Sequence, residues 1–203
     1  MEIQKIPLIG GSQQRAERLV PTIPVMSPRL PSGDRLLPYL RRIDASRIYT
    51  NFGPLVLELE VRLRDHLSLP EGGFVSASSG TAALVAAILA STGRARPQRP
   101  LALMPAYTFV ATAVAAEQCG FQPCLADVDP QSWMLDPEQL LAHPMLDQIG
   151  MVLPVSPYGK GVAQAPWLAF RERTGIPVVI DGAASFEAVS EEPASCLGEI
   201  PVI

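Results

Sequence analysis

From Pro54 onward, the apolar positions fall into two alternating rhythms. Leu55, Leu59, Leu63 and Leu67 recur every four residues, and Glu58 precedes Arg62 by four on the other face. That spacing, opened by Pro54 and stopped by Pro70, Gly72 and Gly73, predicts an amphipathic helix. Beyond it, short apolar runs alternate with helix-length segments. Strands are predicted over 74–77, 101–104, 123–128, 151–155 and the β-branched 176–180. Helices are predicted over 81–91, closed by Gly93, over 110–118, closed by Gly120, around 137–141 and over 167–173. Strands this uniformly apolar, separated by helices, imply a largely parallel sheet covered on both faces, an α/β fold. No internal repeat is present. Residues 1–33 carry Pro7, Pro21, Pro24, Pro28 and Pro31 with little periodicity and read as a Pro-rich N-terminal arm. Such an arm is either a loose terminus or a segment that packs on a partner subunit. At the other end, residues 199–203 have the character of the start of one more strand, and the expectation is a chain cut mid-fold.

Composition narrows the class. The 203 residues, 48% hydrophobic and 18% charged, suffice for one substantial core or two small ones. With 20 acidic against 16 basic residues and no basic run, a partner held by phosphate neutralisation, such as a nucleic acid, is disfavoured. Cys119, Cys124 and Cys196 form no paired CxxC, and His66 and His143 stand alone, which argues against a metal site and against a disulfide framework. The longest apolar stretch, 82–90, is too short to cross a bilayer, and Met1–Lys5 lacks the layout of a secretory signal. The expectation is a soluble, cytoplasmic protein without a membrane partner.

Three places carry candidate chemistry. Ser78-Ser79-Gly80-Thr81 lies between a predicted strand and a predicted helix, where free N–H groups, a bare glycine and the hydroxyls of Ser79 and Thr81 suit a phosphate. Ser79 or Thr81 acting only as a helix cap is the alternative. Without a GxGxxG or P-loop pattern, dinucleotide and nucleoside-triphosphate sites are disfavoured. Asp181 ends the run Val178-Val179-Ile180 at the edge where α/β sheets place ligand contacts. A carboxylate there is placed to pair with a protonated ring nitrogen, or only to cap the following loop. Past the 101–104 strand, Met104-Pro105-Ala106-Tyr107-Thr108-Phe109 offers an aromatic that either stacks on a planar cofactor or joins the core.

In order and spacing these stretches resemble one family. They are Asn51-Phe52-Gly53-Pro54-Leu55-Val56, then 78–84, 105–113, Asp127-Val128-Asp129-Pro130, Pro154-Val155 with Tyr158-Gly159, and Ile180-Asp181-Gly182-Ala183. From about Tyr39 to the last residue, the chain is similar to the DegT/DnrJ/StrS-type sugar aminotransferases, fold-type I enzymes that depend on pyridoxal 5'-phosphate (PLP). The resemblance implies the three-layer, mostly parallel sheet of the PLP-dependent transferase large domain, here over residues 34–203 and truncated before the C-terminal small domain.

It also implies roles. Ser79, Gly80 and Thr81 match the PLP-phosphate cradle, Phe109 the aromatic that stacks on the pyridine ring, and Asp181 the acid paired with the pyridinium nitrogen, which keeps the ring an electron sink. Ala184 falls where many members set Gln or His against the ring, and Ser156 where His is common before the Tyr-Gly pair. The family's Schiff-base lysine, in a Ser-Phe/Leu-His-x-x-Lys stretch, has no counterpart, for the only lysines are Lys5 in the arm and Lys160 after Tyr158-Gly159. The implied parent moves an amino group from glutamate to a keto-sugar nucleotide and works as a homodimer. As supplied, the chain is expected to be an N-terminal fragment, cut before that lysine and inactive alone. Two alternatives stay open: a non-catalytic or split-gene partner subunit of such an enzyme, and a PLP-dependent sugar dehydratase of the same family.

Overall fold

The computed structural model describes residues 27–70 and 73–203. Most of the expected Pro-rich arm, residues 1–26, lies outside the described residues, as does Gly72 of the expected helix stop. Three strands, β1 (Leu101–Pro105), β2 (Gln122–Ala126) and β3 (Ile149–Val152), form a parallel sheet in the order β2-β1-β3. Parallel bridges continue it past β3, from Val152 to Val178, Val155 to Asp181 and Ile180 to Val202. The 176–180 segment is therefore extended and paired on both sides, but as single bridges rather than the predicted ladder. Pro154, Pro177 and Pro201 lie among these pairing residues and have no N–H to donate, so their carbonyls carry the contacts. At the β1–β3 seam the register shifts at Gly150, where a Cβ would sit 2.4 Å from the Arg99 carbonyl oxygen. Only glycine fits there.

The alternation of side chains along these strands makes both cores. Ala102, Met104, Met151, Leu153 and Val179 face one way, against Leu84, Ile88, Ala115 and Ala116 of helices α3 (Gly80–Thr92) and α4 (Val110–Gln118). Leu103, Val152, Val178 and Ile180 face the other way, against Trp167 and Phe170 of α6 (Gln164–Thr174) and Leu140 of α5 (Pro137–Leu140). With both faces covered, every inner position is apolar, which is why the strands read as unbroken runs. Burial of each large side chain contributes about 1.5–3 kcal/mol, so these two layers dominate the stability of the sheet.

Two sequence expectations need correction. Residues 74–77 form no strand. The Glu60 carboxylate accepts both the N–H (2.9 Å) and the hydroxyl (2.7 Å) of Ser76, so that segment bonds to a helix side chain instead of to a sheet edge. A helix absent from the sequence reading, α1 (Gly33–Ser46), contains Pro38 and precedes α2 (Pro54–His66). Neither α1 nor α2 holds a fully buried residue. Two short helices, α7 (Phe186–Glu191) and α8 (Pro193–Cys196), follow Asp181, and a small cluster of Leu67, Val189 and Cys196 ties the end of α2 to them. Among the described residues no helix is long and apolar enough to cross a membrane.

Candidate functional site

All the candidate residues come to the carboxyl edge of the sheet. The Ala95 N–H reaches the Cys119 carbonyl (3.0 Å), so α3 and α4 end side by side at the amino edge and begin together at the carboxyl edge. At the start of α3, Ser79 caps the helix, its Oγ accepting the Ala82 N–H at 3.2 Å. Capping is one of the two roles foreseen for it, and it leaves the remaining first-turn N–H groups free of side-chain partners. Gly80 has open space where a Cβ would stand. A group brought there would meet bare backbone at the positive end of a helix dipole.

Phe109 is the N-cap residue of α4 and is 76% exposed, so it is not core. One turn on, Thr112 is fully buried, and its hydroxyl donates to Asp181 Oδ2 at 2.7 Å. The Thr108 hydroxyl shares a 2.8 Å bond with that of Thr112, and the Ala183 N–H reaches Asp181 Oδ1 at 3.3 Å. Asp181 itself is 6% exposed. Its two oxygens therefore hold a fixed direction in a nearly dry place and keep lone pairs for one further donor. Sequence reasoning passed over Thr112 as a functional residue. The available signal was a hydroxyl four residues after Thr108 on an otherwise small, apolar helix.

Ala184 is exposed in the loop after Asp181 and brings no polar group to the site. The Ser156 N–H donates to the Asp181 carbonyl at 2.9 Å, while its buried Oγ has no partner among the described residues. Lys160, the one lysine among the described residues, directs its Nζ to the Ser132 carbonyl at 3.5 Å and makes no contact with Asp181. Burial pushes the Cys119, Cys124 and Cys196 thiols up, so none is a ready nucleophile.

Three aromatics gather on the loops after β1, β2 and β3. Tyr107 meets Trp133 edge-on at 5.4 Å, Trp133 meets Tyr158 at 5.8 Å, and the Tyr107 hydroxyl donates to that of Tyr158. That bond holds the Tyr107 phenol above its ordinary pKa. Trp133 (φ 63°) and Tyr158 (φ 46°) both sit in the left-handed region, which costs bulky residues on the order of 1–3 kcal/mol each. Asp129 braces the Trp133 loop by accepting the N–H groups of Ser132 (2.7 Å) and Gln131 (3.1 Å), and these bonds lower its pKa.

The parallel sheet between helical layers matches the fold of a solved putative PLP-dependent aminotransferase from Bacillus cereus, with a TM-score of 0.62 at 31% identity over 73% of this chain and 40% of that one. The chain belongs to the DegT/DnrJ/EryC1/StrS aminotransferase family, whose model matches residues 32–200. It is similar to protein Rv3402c of Mycobacterium tuberculosis, 32% identical over 170 residues that cover 82% of this chain and 41% of that protein. It is also similar to the UDP-2-acetamido-2-deoxy-3-oxo-D-glucuronate aminotransferase of Pseudomonas aeruginosa, 34% identical over 144 residues, 71% of this chain and 38% of that one. Among solved structures, a DegT DnrJ EryC1 StrS aminotransferase from Brucella abortus superposes with a TM-score of 0.62 at 27% identity, covering 75% of this chain and 41% of its own. The chain spans about two fifths of the length of the curated relatives it matches.

Proposed function

We propose that this chain supplies the cofactor-holding part of a PLP-dependent sugar aminotransferase. The observation that carries the reading is the Thr108–Thr112–Asp181 relay, which orients a buried carboxylate from the first turn of the helix that Phe109, with its exposed ring, caps. The donor set fits the cofactor: hydroxyls and open N–H groups at Ser79, Gly80 and Thr81 for its phosphate, an aromatic face at Phe109 for its ring, and an acceptor-only group at Asp181 for its ring nitrogen. When bound, PLP supplies a ring that takes up the electron pair left as a proton departs from the amino-bearing carbon. Asp181 holds a proton at the ring nitrogen, and Thr112 holds Asp181 in that direction. Phe109 shields one face of the site from water. The start of α3 would hold the phosphate, as Asp181 would hold the ring nitrogen.

The group that would move a proton between carbon atoms in this family is a lysine, and Lys160 lies beside Ser132 with no contact to Asp181. The 203 residues therefore bind the cofactor without a covalent link and do not transaminate alone. The amino transfer, from glutamate to the ketone of a nucleotide-linked sugar, belongs to the assembled enzyme, a homodimer. The naming of the Pseudomonas relative for a UDP-sugar substrate supports that substrate class.

The test is equilibrium binding of PLP to the purified chain, followed by its absorbance. Saturable binding that weakens about tenfold or more in Asp181→Ala, with normal folding retained, is the expected result. Unchanged affinity in that variant overturns the role of Asp181. Turnover of glutamate with a keto-sugar nucleotide by the chain alone overturns the need for an outside lysine.

A further inference from the structure

The aromatic group at the carboxyl edge is the feature that the cofactor reading leaves unused. Tyr107 stands two residues before Phe109, and Tyr158 two residues after Ser156, which bonds to the Asp181 backbone, so the group adjoins the cofactor site. Its rings are not core: Trp133 is 47% exposed and Tyr158 is 78% exposed. Their mutual packing is edge-on, at 82° for Tyr107–Trp133 and 66° for Trp133–Tyr158, which leaves ring faces open. Both residues are held there in backbone conformations that side chains of this size seldom adopt. The Tyr107–Tyr158 bond ties the loops after β1 and β3, and the Asp129 turn braces the loop after β2. The third polar element is Lys160, whose single contact among the described residues, at the outer limit of a hydrogen bond, leaves donors free beside the shelf.

We propose that Tyr107, Trp133 and Tyr158 form a stacking shelf for the base of a nucleoside diphosphate, with Lys160 reaching its phosphates. The proposal deepens the sugar-nucleotide reading and rests on it for the placement of the ligand beside the cofactor. Planar bases stack on such rings whatever their identity, so the shelf selects for a base rather than for one base. The phosphates add a charge contact to Lys160 that weakens with salt.

Trp133 supplies its own reporter. The protein has two tryptophans, and the other, Trp167, is buried in the core, so quenching on ligand addition reads Trp133. Titration of the purified protein with UDP is expected to quench its emission saturably, whereas pyrophosphate and ribose 5-phosphate, which lack a base, do not. By isothermal titration calorimetry, Trp133→Ala and Tyr158→Ala are each expected to weaken UDP about tenfold or more, while Trp133→Phe and Tyr158→Phe keep most of the affinity. Lys160→Gln is expected to weaken UDP several-fold and to leave uridine unchanged. Equal UDP affinity in the folded alanine variants, or equal binding of ribose 5-phosphate, overturns the shelf. Failure of UDP to bind where PLP still binds also overturns it, and leaves the cofactor reading standing. UDP binding to the shelf without PLP binding does the reverse.

Discussion

The sheet body and the α1–α2 hairpin are built on opposite plans. In the body, strands and helices bury apolar faces against one another in two layers. In the hairpin, Leu36, Leu37, Leu40, Leu57, Leu59 and Val61 stay exposed on helices that hold no buried residue. The ion pair that joins α1 to α2 is Arg42 with Glu58, and Glu58 also takes Arg62 of its own helix. The body thus has two buried layers of its own, whereas the hairpin keeps its apolar surface outward.

The largest expected effect separates the two regions directly. Phe170→Ala, in the layer under α6, is expected to cost about 3–5 kcal/mol in chemical denaturation, whereas Leu57→Ala on α2 stays within about 0.5 kcal/mol in the dissociated chain. A comparable loss at Leu57 would erase the distinction. Next is Thr112→Val, which keeps shape but leaves the buried Asp181 without its hydroxyl donor. A loss of about 1–3 kcal/mol is expected, together with weakened PLP binding. Ser79→Ala is expected to cost about 1 kcal/mol through the lost cap of α3, and Ser79→Gly only a few tenths.

The smallest effect lies at the seam between the regions and depends on pH. The Ser76 hydroxyl and N–H hold the Glu60 carboxyl below the usual carboxylate range. A carboxyl lowered in the folded state stabilises it fully above its ordinary value, and that contribution is lost as pH falls through the lowered value. Hydrogen exchange at the Ser76 amide, corrected for intrinsic rates, is therefore expected to accelerate on acidification through and below the ordinary Glu range, while the sheet amides stay protected. Glu60→Gln is expected to abolish that dependence. An unchanged pH response in the variant would mean that other carboxylates hold the seam.

Much of the body was legible as sequence because its signals are local. Helix 110–118 is α4 to the residue, and Gly93 closes α3 as expected, since small apolar residues bounded by glycine leave the backbone few other courses. The strand at 101–104 was readable because two covered faces demand an apolar residue at each position. Signals failed where a distant partner decides. Residues 74–77 have strand composition, but Glu60 claimed their hydrogen bonds. Helix α1 was hidden by Pro38, whose missing N–H costs the second turn one bond without ending the helix.

The sequence by itself determined the α/β rhythm, the family motifs and the residue types that suit a phosphate, a ring face and a ring nitrogen, since each of these is written in short stretches of chain. The tertiary structure decided that Thr112 orients Asp181 across 69 residues and that Tyr107, Trp133 and Tyr158 meet from three separate loops. Those meetings depend on parallel crossovers that return every strand's end to the same edge, a long-range geometry that no local pattern records.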